Sequence, residues 1–319
     1  MKYFILPAAV AFFCLQARSQ PVIDSGQLMQ DVKSLSSDAM QGRRTGTRGS
    51  RLAQFYILQR FKETGLQPLH DSSYEYPFFF EDKDGQKVMG TNLLALIPGK
   101  KSDIIVISAH YDHLGISATS VNGDSIYNGA DDNASGVAGL LALAAYFQKH
   151  PPEHTLVLAA FDAEEENLKG SDAFVHQFPE LMKRIRLNIN MDMISHNDKG
   201  ELYACGTRQY PFLKSFLSQA AQGSPVHLLF GHDDPSSGSD NWIDQSDQGS
   251  FYARKIPFIY FGVEDHPDYH RVSDEFKTIS PSFFYHATEI ILYAAMKIDR
   301  GLSNIQLPPK SKWVMPAHT

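Results

Sequence analysis

The chain has 319 residues, of which 43% are hydrophobic and 20% are charged. This length and composition are typical of a globular protein with a core of its own, and they fit one large domain or two small ones. The formal net charge of −7 argues against nucleic acid or an anionic membrane surface as the main partner, because both repel an acidic protein.

The N-terminus has the pattern of a secretory signal peptide. Lys2 supplies the positive charge, residues 3–15 form an apolar run too short to span a membrane, and Ala17 and Ser19 frame a small-x-small cleavage site. We therefore predict a signal peptide at 1–19, export to a bacterial periplasm or exterior, and no membrane anchor after cleavage. The alternative is a buried N-terminal helix.

The two cysteines, Cys14 and Cys205, fit this compartment. Since Cys14 lies within the predicted signal peptide, the mature chain would keep a single cysteine and no disulfide. Its stability must then come from the core.

The first predicted elements are two helices and two strands. Residues 24–36 predict a short helix. Residues 47–64 predict a longer helix whose apolar face ends at Gly65, a usual helix stop. Residues 74–80 and 91–97 predict strands.

From residue 103 onward, strands and helices alternate. Strands are predicted at 103–109, 155–161, 187–191 and 256–262, and helices at 135–147, 171–178, 211–221 and 281–298. This alternation predicts an α/β three-layer sandwich, in which helices cover both faces of a mixed, mostly parallel central sheet. We expect one domain at 20–305 and an irregular C-terminal tail at 306–319.

A polar stretch at residues 231–248 interrupts the alternation. It is rich in Asp, Ser and Gly and has no core periodicity. Loops of this length are usually functional or disordered. We interpret it as a loop on the substrate side of a site, with a plain surface loop as the alternative.

Five short clusters of acidic residues and histidines accompany the predicted strands. They contain His110 and Asp112, Asp131 and Asp132, Glu164 and Glu165, Asp192, and Tyr269 with His270. In an open α/β sheet, side chains beyond the carboxyl ends of the strands converge on one edge. We therefore expect these residues, although distant in the chain, to meet there.

Two histidines and three carboxylates make a suitable donor set for two zinc ions. Zinc prefers imidazole and carboxylate ligands and keeps one position open for water or substrate. Two ions about 3.5–4 Å apart need a shared bridging ligand. A further carboxylate must stay off the metal to act as base, and the adjacent Glu164 and Glu165 can supply base and ligand together. Asp112 can orient the imidazole of His110.

Each cluster alone also has an ordinary structural explanation. Asp132 can cap a helix, Glu164 and Glu165 can begin a solvated helix whose dipole favours their charge, and His270 can be a surface histidine. Asp192 stands out, because a carboxylate at the end of an apolar strand needs a partner. The complete ordered set favours a metal site over five independent explanations.

The ordered clusters, together with a segment at residues 35–47 that contains Gln41-Gly42-Arg43-Arg44, match a known family. The chain resembles the secreted zinc metallopeptidases of the bacterial leucyl aminopeptidase group. That family also contains glutamate carboxypeptidase II, the transferrin receptor ectodomain and the glutaminyl cyclases. The resemblance covers residues 35–298 and implies a zinc aminopeptidase-like fold, two Zn²⁺ per chain and peptide substrates. It leaves the oligomeric state open.

The resemblance also implies a role for each site residue. The implied ligands of one ion are His110, Asp192 and the bridging Asp132, and those of the other are Glu165, His270 and the same Asp132. Glu164 would be the general base, Tyr269 would stabilise the tetrahedral intermediate, and Asp112 would support the site. The peptide bond between Asp132 and Asn133 would be cis.

Two positions depart from the family's pattern. Glu166 and Asn167 stand where a hydrophobic residue and a glycine usually follow the Glu-Glu pair, which would change the loop but not the ligands. Gln248 stands where a histidine is common after Ser-Asp, so we do not expect a third histidine to act at that point.

The predicted activity is that of a zinc-dependent aminopeptidase, an exopeptidase in which water attacks the N-terminal peptide bond and Glu164 is the base. One alternative is a glutaminyl cyclase-like acyltransferase with a single zinc. A second is carboxypeptidase or dipeptidase specificity, for which Arg208 or Arg254 would meet a substrate carboxylate. A third is a non-catalytic binding module. The full ligand set favours hydrolysis, and the presence of the base argues against the binding module.

Overall fold

A computed structural model describes residues 22–70 and 72–305. The predicted signal peptide at 1–19 and the predicted tail at 306–319 lie outside the described residues.

The described residues contain eight α-helices. They are α1 (Ser25–Leu35), α2 (Arg48–Thr64), α3 (Gly136–Lys149), α4 (Lys169–Gln177), α5 (Pro179–Arg184), α6 (Lys214–Ala220), α7 (Gln248–Ala253) and α8 (Pro281–Gly301). The ends of α2 follow from local chemistry: the Thr47 side chain accepts a hydrogen bond from the Ser50 amide, and Gly65 ends the helix in a left-handed conformation. Among these helices, none is both long and apolar enough to cross a membrane.

The strands of the described residues form one large sheet and one separate hairpin. They are β1 (Gln67–Pro68), β2 (Glu75–Glu81), β3 (Lys87–Ile97), β4 (Lys101–His110), β5 (Gly115–Val121), β6 (Asp124–Tyr127), β7 (His154–Phe161), β8 (Ile185–Met191), β9 (Glu201–Cys205), β10 (His227–Phe230) and β11 (Phe258–Gly262). The large sheet has the order β1-β3-β7-β4-β8-β11-β9-β10, with β2 also paired to β3, while β5 and β6 form the hairpin. The central strands β7, β4, β8 and β11 are parallel to one another.

The core has two parts, one on each face of the sheet. Along β4, Ile105 and Ile107 pack on one face with α1, α2, α3, α6 and α8. Ile104 and Val106 pack on the other face with α4, α5 and α7. The alternation of buried side chains in a strand buried on both sides accounts for this division. The predicted three-layer α/β sandwich with a mixed sheet is confirmed.

The hairpin β5–β6, the strands β9 and β10, and the helices α5 and α7 were not predicted from the sequence. Beyond its first residue β5 is mostly exposed, and β6 is half-buried throughout, so the hairpin lacks the hydrophobic runs by which the other strands were recognised. The predicted polar loop at 231–248 is present as irregular chain between β10 and α7, with one short helical turn at Gly238–Asp240.

Candidate metal centre

The five predicted ligands meet at one edge of the sheet. His110 is the last residue of β4, Asp192 directly follows β8, Glu165 lies just beyond β7, and His270 lies in the loop after β11. Asp132 lies in the irregular helical turn that precedes α3. Because β7, β4, β8 and β11 are adjacent and parallel, their carboxyl ends bring these side chains together.

Asp132 lies at the centre of the cluster. Its Oδ1 is 3.3 Å from His110 Nε2, and the same nitrogen is 3.2 Å from Asp192 Oδ1. Its Oδ2 is 3.1 Å from His270 Nε2, which is 3.3 Å from Glu165 Oε2. The two oxygens of one buried carboxylate therefore face two different pairs, each made of a histidine and a carboxylate.

These separations fit zinc coordination. Ligand atoms bound to one zinc at 2.0–2.1 Å in a tetrahedron lie roughly 3.3 Å apart, close to the four distances around Asp132. The nitrogen and oxygen donors are also those that zinc prefers. His110, Asp132 and Asp192 form a group whose ligand atoms all lie within 4.8 Å of one another. The residues present thus fit a zinc centre.

His113 belongs to the cluster as well, although it was not predicted from the sequence. It is fully buried, and its Nδ1 lies 2.7 Å from Glu165 Oε1 and 3.7 Å from Asp132 Oδ2. With these two carboxylates it forms a second group of converging ligand atoms. The 2.7 Å separation is that of a short hydrogen bond. Its position three residues after His110 was the signal that could have identified it.

Asp112 connects two parts of the cluster. Its side chain is buried, and its two oxygens accept hydrogen bonds from the backbone amides of Glu164 at 3.0 Å and Glu165 at 3.3 Å. Its Oδ1 also lies 3.5 Å from His110 Nδ1. Asp112 therefore holds the loop after β7 in place beside the His110 imidazole.

Glu164 and Tyr269 line the same cavity, next to the clustered carboxylates. Burial raises the pKa of Glu164 well above its usual range, with the charge of Asp192 acting in the same direction and His110 opposing it. Burial also raises the pKa of Tyr269, so its hydroxyl stays protonated. The Tyr269 ring stacks on that of His270, with centroids 4.0 Å apart.

The cavity beside the cluster has a volume of about 90 Å³ and includes Trp242 and Gln245 from the 231–248 loop. This loop therefore reaches the site. Gln248 anchors the end of the loop: its Oε1 accepts from Asn190 Nδ2 at 2.9 Å, and its Nε2 donates to the Trp242 carbonyl at 2.7 Å. At this position the glutamine has a structural role.

Neither arginine considered for a substrate carboxylate lines this cavity in the described residues. Arg208 forms an ion pair of 2.6 Å with Asp234, and Arg254 is exposed at the end of α7. The suggestion that they bind a carboxylate there is therefore not supported.

A set of buried groups holds Asp132 in position. The Asp274 carboxylate accepts hydrogen bonds from the amides of Asp131 at 2.9 Å and Asp132 at 3.0 Å. Asp131 in turn accepts from the Ser195 amide at 2.6 Å, and its Oδ2 lies 3.0 Å from His266 Nε2. The Asp132–Asn133 peptide is cis, as the family resemblance implies. The contributions of Asp274 and His266 were not predicted from the sequence.

Arg43 explains part of the segment at 35–47. Its guanidinium is fully buried, and burial lowers its pKa to about 10. It donates to four backbone carbonyls at 2.6–2.9 Å, those of Leu35, Tyr111, Asn128 and Gly129. The side chain thereby joins the N-terminal segment to the two loops that lead into Asp112 and Asp132.

The chain is similar in sequence to known peptidases. A model of peptidase family M28 matches residues 92–295. Aminopeptidase YwaD of Bacillus subtilis is 27% identical over 252 residues, which are 73% of this chain and 50% of that protein. The alkaline phosphatase isozyme conversion protein of Escherichia coli is 30% identical over 166 residues, 50% of this chain and 48% of that protein. The chain thus spans about half the length of these curated relatives.

Solved structures share the fold. BSAP, a zinc aminopeptidase from Bacillus subtilis, aligns with a TM-score of 0.67 and 16% identity over 93% of this chain and 99% of that one. The glutaminyl cyclase of Porphyromonas gingivalis aligns with a TM-score of 0.71 and 16% identity over 86% of this chain and 98% of that one. Since one fold hosts both activities, the fold alone does not select between them.

Proposed function

The chain belongs to peptidase family M28, and we propose that it is an aminopeptidase that uses two zinc ions, both of which Asp132 would help to hold. The observation that carries the proposal is the pair of Asp132 oxygens, one facing His110 at 3.3 Å and the other facing His270 at 3.1 Å. In this assignment Asp192 completes the first ligand set and Glu165 the second. Substrates are peptides, and export after removal of residues 1–19 remains a prediction, tested by the N-terminal sequence of the mature protein.

His270 is the proposed ligand in preference to His113. The Nε2 of His270 lies at ligand-to-ligand distances from both Asp132 and Glu165. The Nδ1 of His113 is within hydrogen-bond distance of Glu165 and would fix the orientation of that carboxylate as an outer partner.

The protein's own residues supply the acid–base chemistry. Bound zinc would lower the pKa of a coordinated water toward neutrality and polarise the scissile carbonyl. Glu164 accepts the proton of the attacking water and returns it to the leaving amine. Tyr269, protonated and facing the same cavity, donates a hydrogen bond to the substrate carbonyl oxygen as negative charge develops there. Asp112 holds the backbone amides of the Glu164 loop so that the carboxyl keeps its position.

The acidic lining of the cavity favours an aminopeptidase, which removes N-terminal residues, over a carboxypeptidase, which removes C-terminal ones. Among the described residues that line it are Asp132, Glu164, Glu165, Asp192 and Asp265, but no lysine or arginine. Asp132, Glu165 and Asp192 are proposed zinc ligands, whose charges the ions would offset. The carboxylates left to attract the α-ammonium group of a substrate are therefore Glu164 and Asp265. Trp242 and Gln245 of the 231–248 loop also line this cavity. They would influence which substrate side chain the enzyme accepts.

A panel of amino-acid p-nitroanilides, with free and with blocked α-amines, tests this function directly. We expect turnover of the free amines, loss of turnover with chelator and recovery with zinc. Elemental analysis should find two zinc ions per chain. Activity on blocked substrates only would contradict an aminopeptidase.

A glutaminyl cyclase is the second candidate, because the Porphyromonas gingivalis enzyme has the same fold over 86% of this chain. A peptide with N-terminal glutamine distinguishes the two: an aminopeptidase releases free glutamine, whereas a cyclase releases ammonia and leaves a pyroglutamyl peptide. Pyroglutamyl product together with one tightly held zinc would replace the aminopeptidase proposal.

A further inference from the structure

A second cavity lies beside the metal centre, and no residue of the 231–248 loop is among the described residues that line it. It has a volume of about 470 Å³ and shares His270 with the centre. One wall is the β5–β6 hairpin, represented by Val121 and Tyr127. The other is the chain that follows His270, including Arg271 and Lys277. Its volume falls in the range of roughly 300–1,000 Å³ that is usual for small-ligand sites.

Arg271 is the cation of this groove that is available to a ligand. It directly follows His270, is exposed, and within the described residues its side chain makes no hydrogen bond or ion pair. The other charged groups are engaged. Lys277 Nζ lies 2.8 Å from Glu275 Oε2, and Asp124 Oδ1 accepts a backbone N–H two residues further along at 3.0 Å.

We propose that this groove binds the residues of short peptides that lie C-terminal to the cleaved bond, and that Arg271 binds the free C-terminal carboxylate of these peptides. The inference rests on the proposed aminopeptidase function. The acidic cavity beside the metal centre would take the N-terminal residue, so the rest of the substrate must leave the centre in another direction. The groove begins at His270, and an arginine fork suits a carboxylate in both charge and shape. The preferred substrates are therefore dipeptides and tripeptides with free C-termini.

The test compares one tripeptide in two forms, as the free acid and as the C-terminal amide, with zinc-loaded protein. We expect wild-type kcat/KM to be about tenfold higher for the acid, as for one hydrogen-bonded charge pair. Arg271→Gln should bring the acid-to-amide ratio close to one, mainly by raising KM for the acid. Arg271→Lys should retain part of the preference. High salt should lower the wild-type ratio, because it screens an exposed pair.

Taking the ratio within each protein cancels any general loss of folding or of metal. Arg254→Gln is the matched control: it removes another exposed arginine, outside both cavities, and should keep the wild-type ratio. Two results would overturn the proposed role of Arg271 but leave the aminopeptidase function standing. One is a wild-type enzyme that cleaves both forms equally, and the other is an Arg271→Gln variant that keeps the preference for the acid. A zinc-loaded wild type that cleaves neither peptides nor aminoacyl p-nitroanilides would overturn the aminopeptidase function and this inference with it.

Discussion

At the residue scale, adjacent side chains in this centre have different environments, which suit them to different roles. Glu165 interacts with His113 and His270 and lies beside Asp132, and hydrogen bonds to the two histidines lower its pKa to about 2 against the effect of burial. Glu164, the preceding residue, has no such close histidine contact within the described residues, and burial raises its pKa. The first is suited to remain an ionised ligand, and the second is suited to exchange a proton.

Glu164→Gln should lower kcat by about 10²–10⁴-fold, because the amide cannot accept the proton of the attacking water. Zinc content should stay at the wild-type value, since Glu164 is not a proposed ligand. Steady-state kinetics measures kcat, and elemental analysis of the same preparation measures the zinc content. Glu166→Gln is the matched control, being a neighbouring glutamate outside the cavity, and should retain activity. A fully active Glu164→Gln enzyme would rule out Glu164 as the general base.

The pH dependence should reflect the same residue. Only ionised Glu164 can accept a proton, so kcat/KM should fall as the pH falls through its raised pKa. On the acid side of the profile, the midpoint of the fall in kcat/KM should therefore lie at a pH above the ordinary glutamate pKa of about 4.3. A pH profile on an aminoacyl p-nitroanilide measures this, with zinc content checked at each end. Activity that stays constant down to that ordinary value would contradict the assignment.

At the element scale, the segment before α2 positions the loops that carry the site. Gly42 has a positive φ of 65°, and a Cβ there would lie 2.3 Å from the Gly115 carbonyl at the start of β5. Its absence allows the segment to contact the hairpin closely. The next residue, Arg43, then reaches the carbonyls on either side of the hairpin. Gly42 and Arg43 thus connect the N-terminal segment to the loops that carry the proposed ligands.

Arg43→Ala should lower the free energy of unfolding by about 3 kcal/mol or more, because it leaves several buried carbonyls without donors. Urea unfolding followed by circular dichroism measures the change. The adjacent Arg44→Ala serves as control. Arg44 is half-exposed, its nearest contact to Glu166 is 3.8 Å, and its removal should cost about 0–1 kcal/mol. Equal losses for the two variants would contradict the role of Arg43.

At the scale of the whole molecule, the site joins parts of the chain that are far apart in sequence. The proposed ligands come from beyond four neighbouring strands and from the turn before α3. Bound ions would therefore cross-link these segments in the folded state only, and ligands that bind only the folded state stabilise it.

Removing the metal should lower both activity and Tm. At an ion concentration of about 100 times Kd, one bound ion contributes about 2.7 kcal/mol to stability. Thermal unfolding of the protein with chelator, and again after zinc is restored, measures the effect. Recovery of Tm and activity together is the expected result. A chelated protein that keeps its wild-type Tm and activity would contradict a zinc-dependent enzyme.

Much of the fold was predictable because its signals are local. The strand β4 and the helix α3 were predicted within a few residues of their bounds, since buried strands and amphipathic helices have distinct periodicities. The partly exposed β5–β6 hairpin and the short edge strand β10 lack those periodicities. They are formed by backbone pairing with neighbours, which no local pattern records.

The sequence by itself determined the α/β class, the family resemblance and the types of donor atom, because these depend on residue identity and on order along the chain. Tertiary structure alone decided which donors meet. It directed the two oxygens of Asp132 toward different histidines, brought His113 to Glu165, and left Arg208 and Arg254 outside the cavity. Those outcomes depend on strand order and loop packing, which set distances of a few ångströms between side chains remote in sequence.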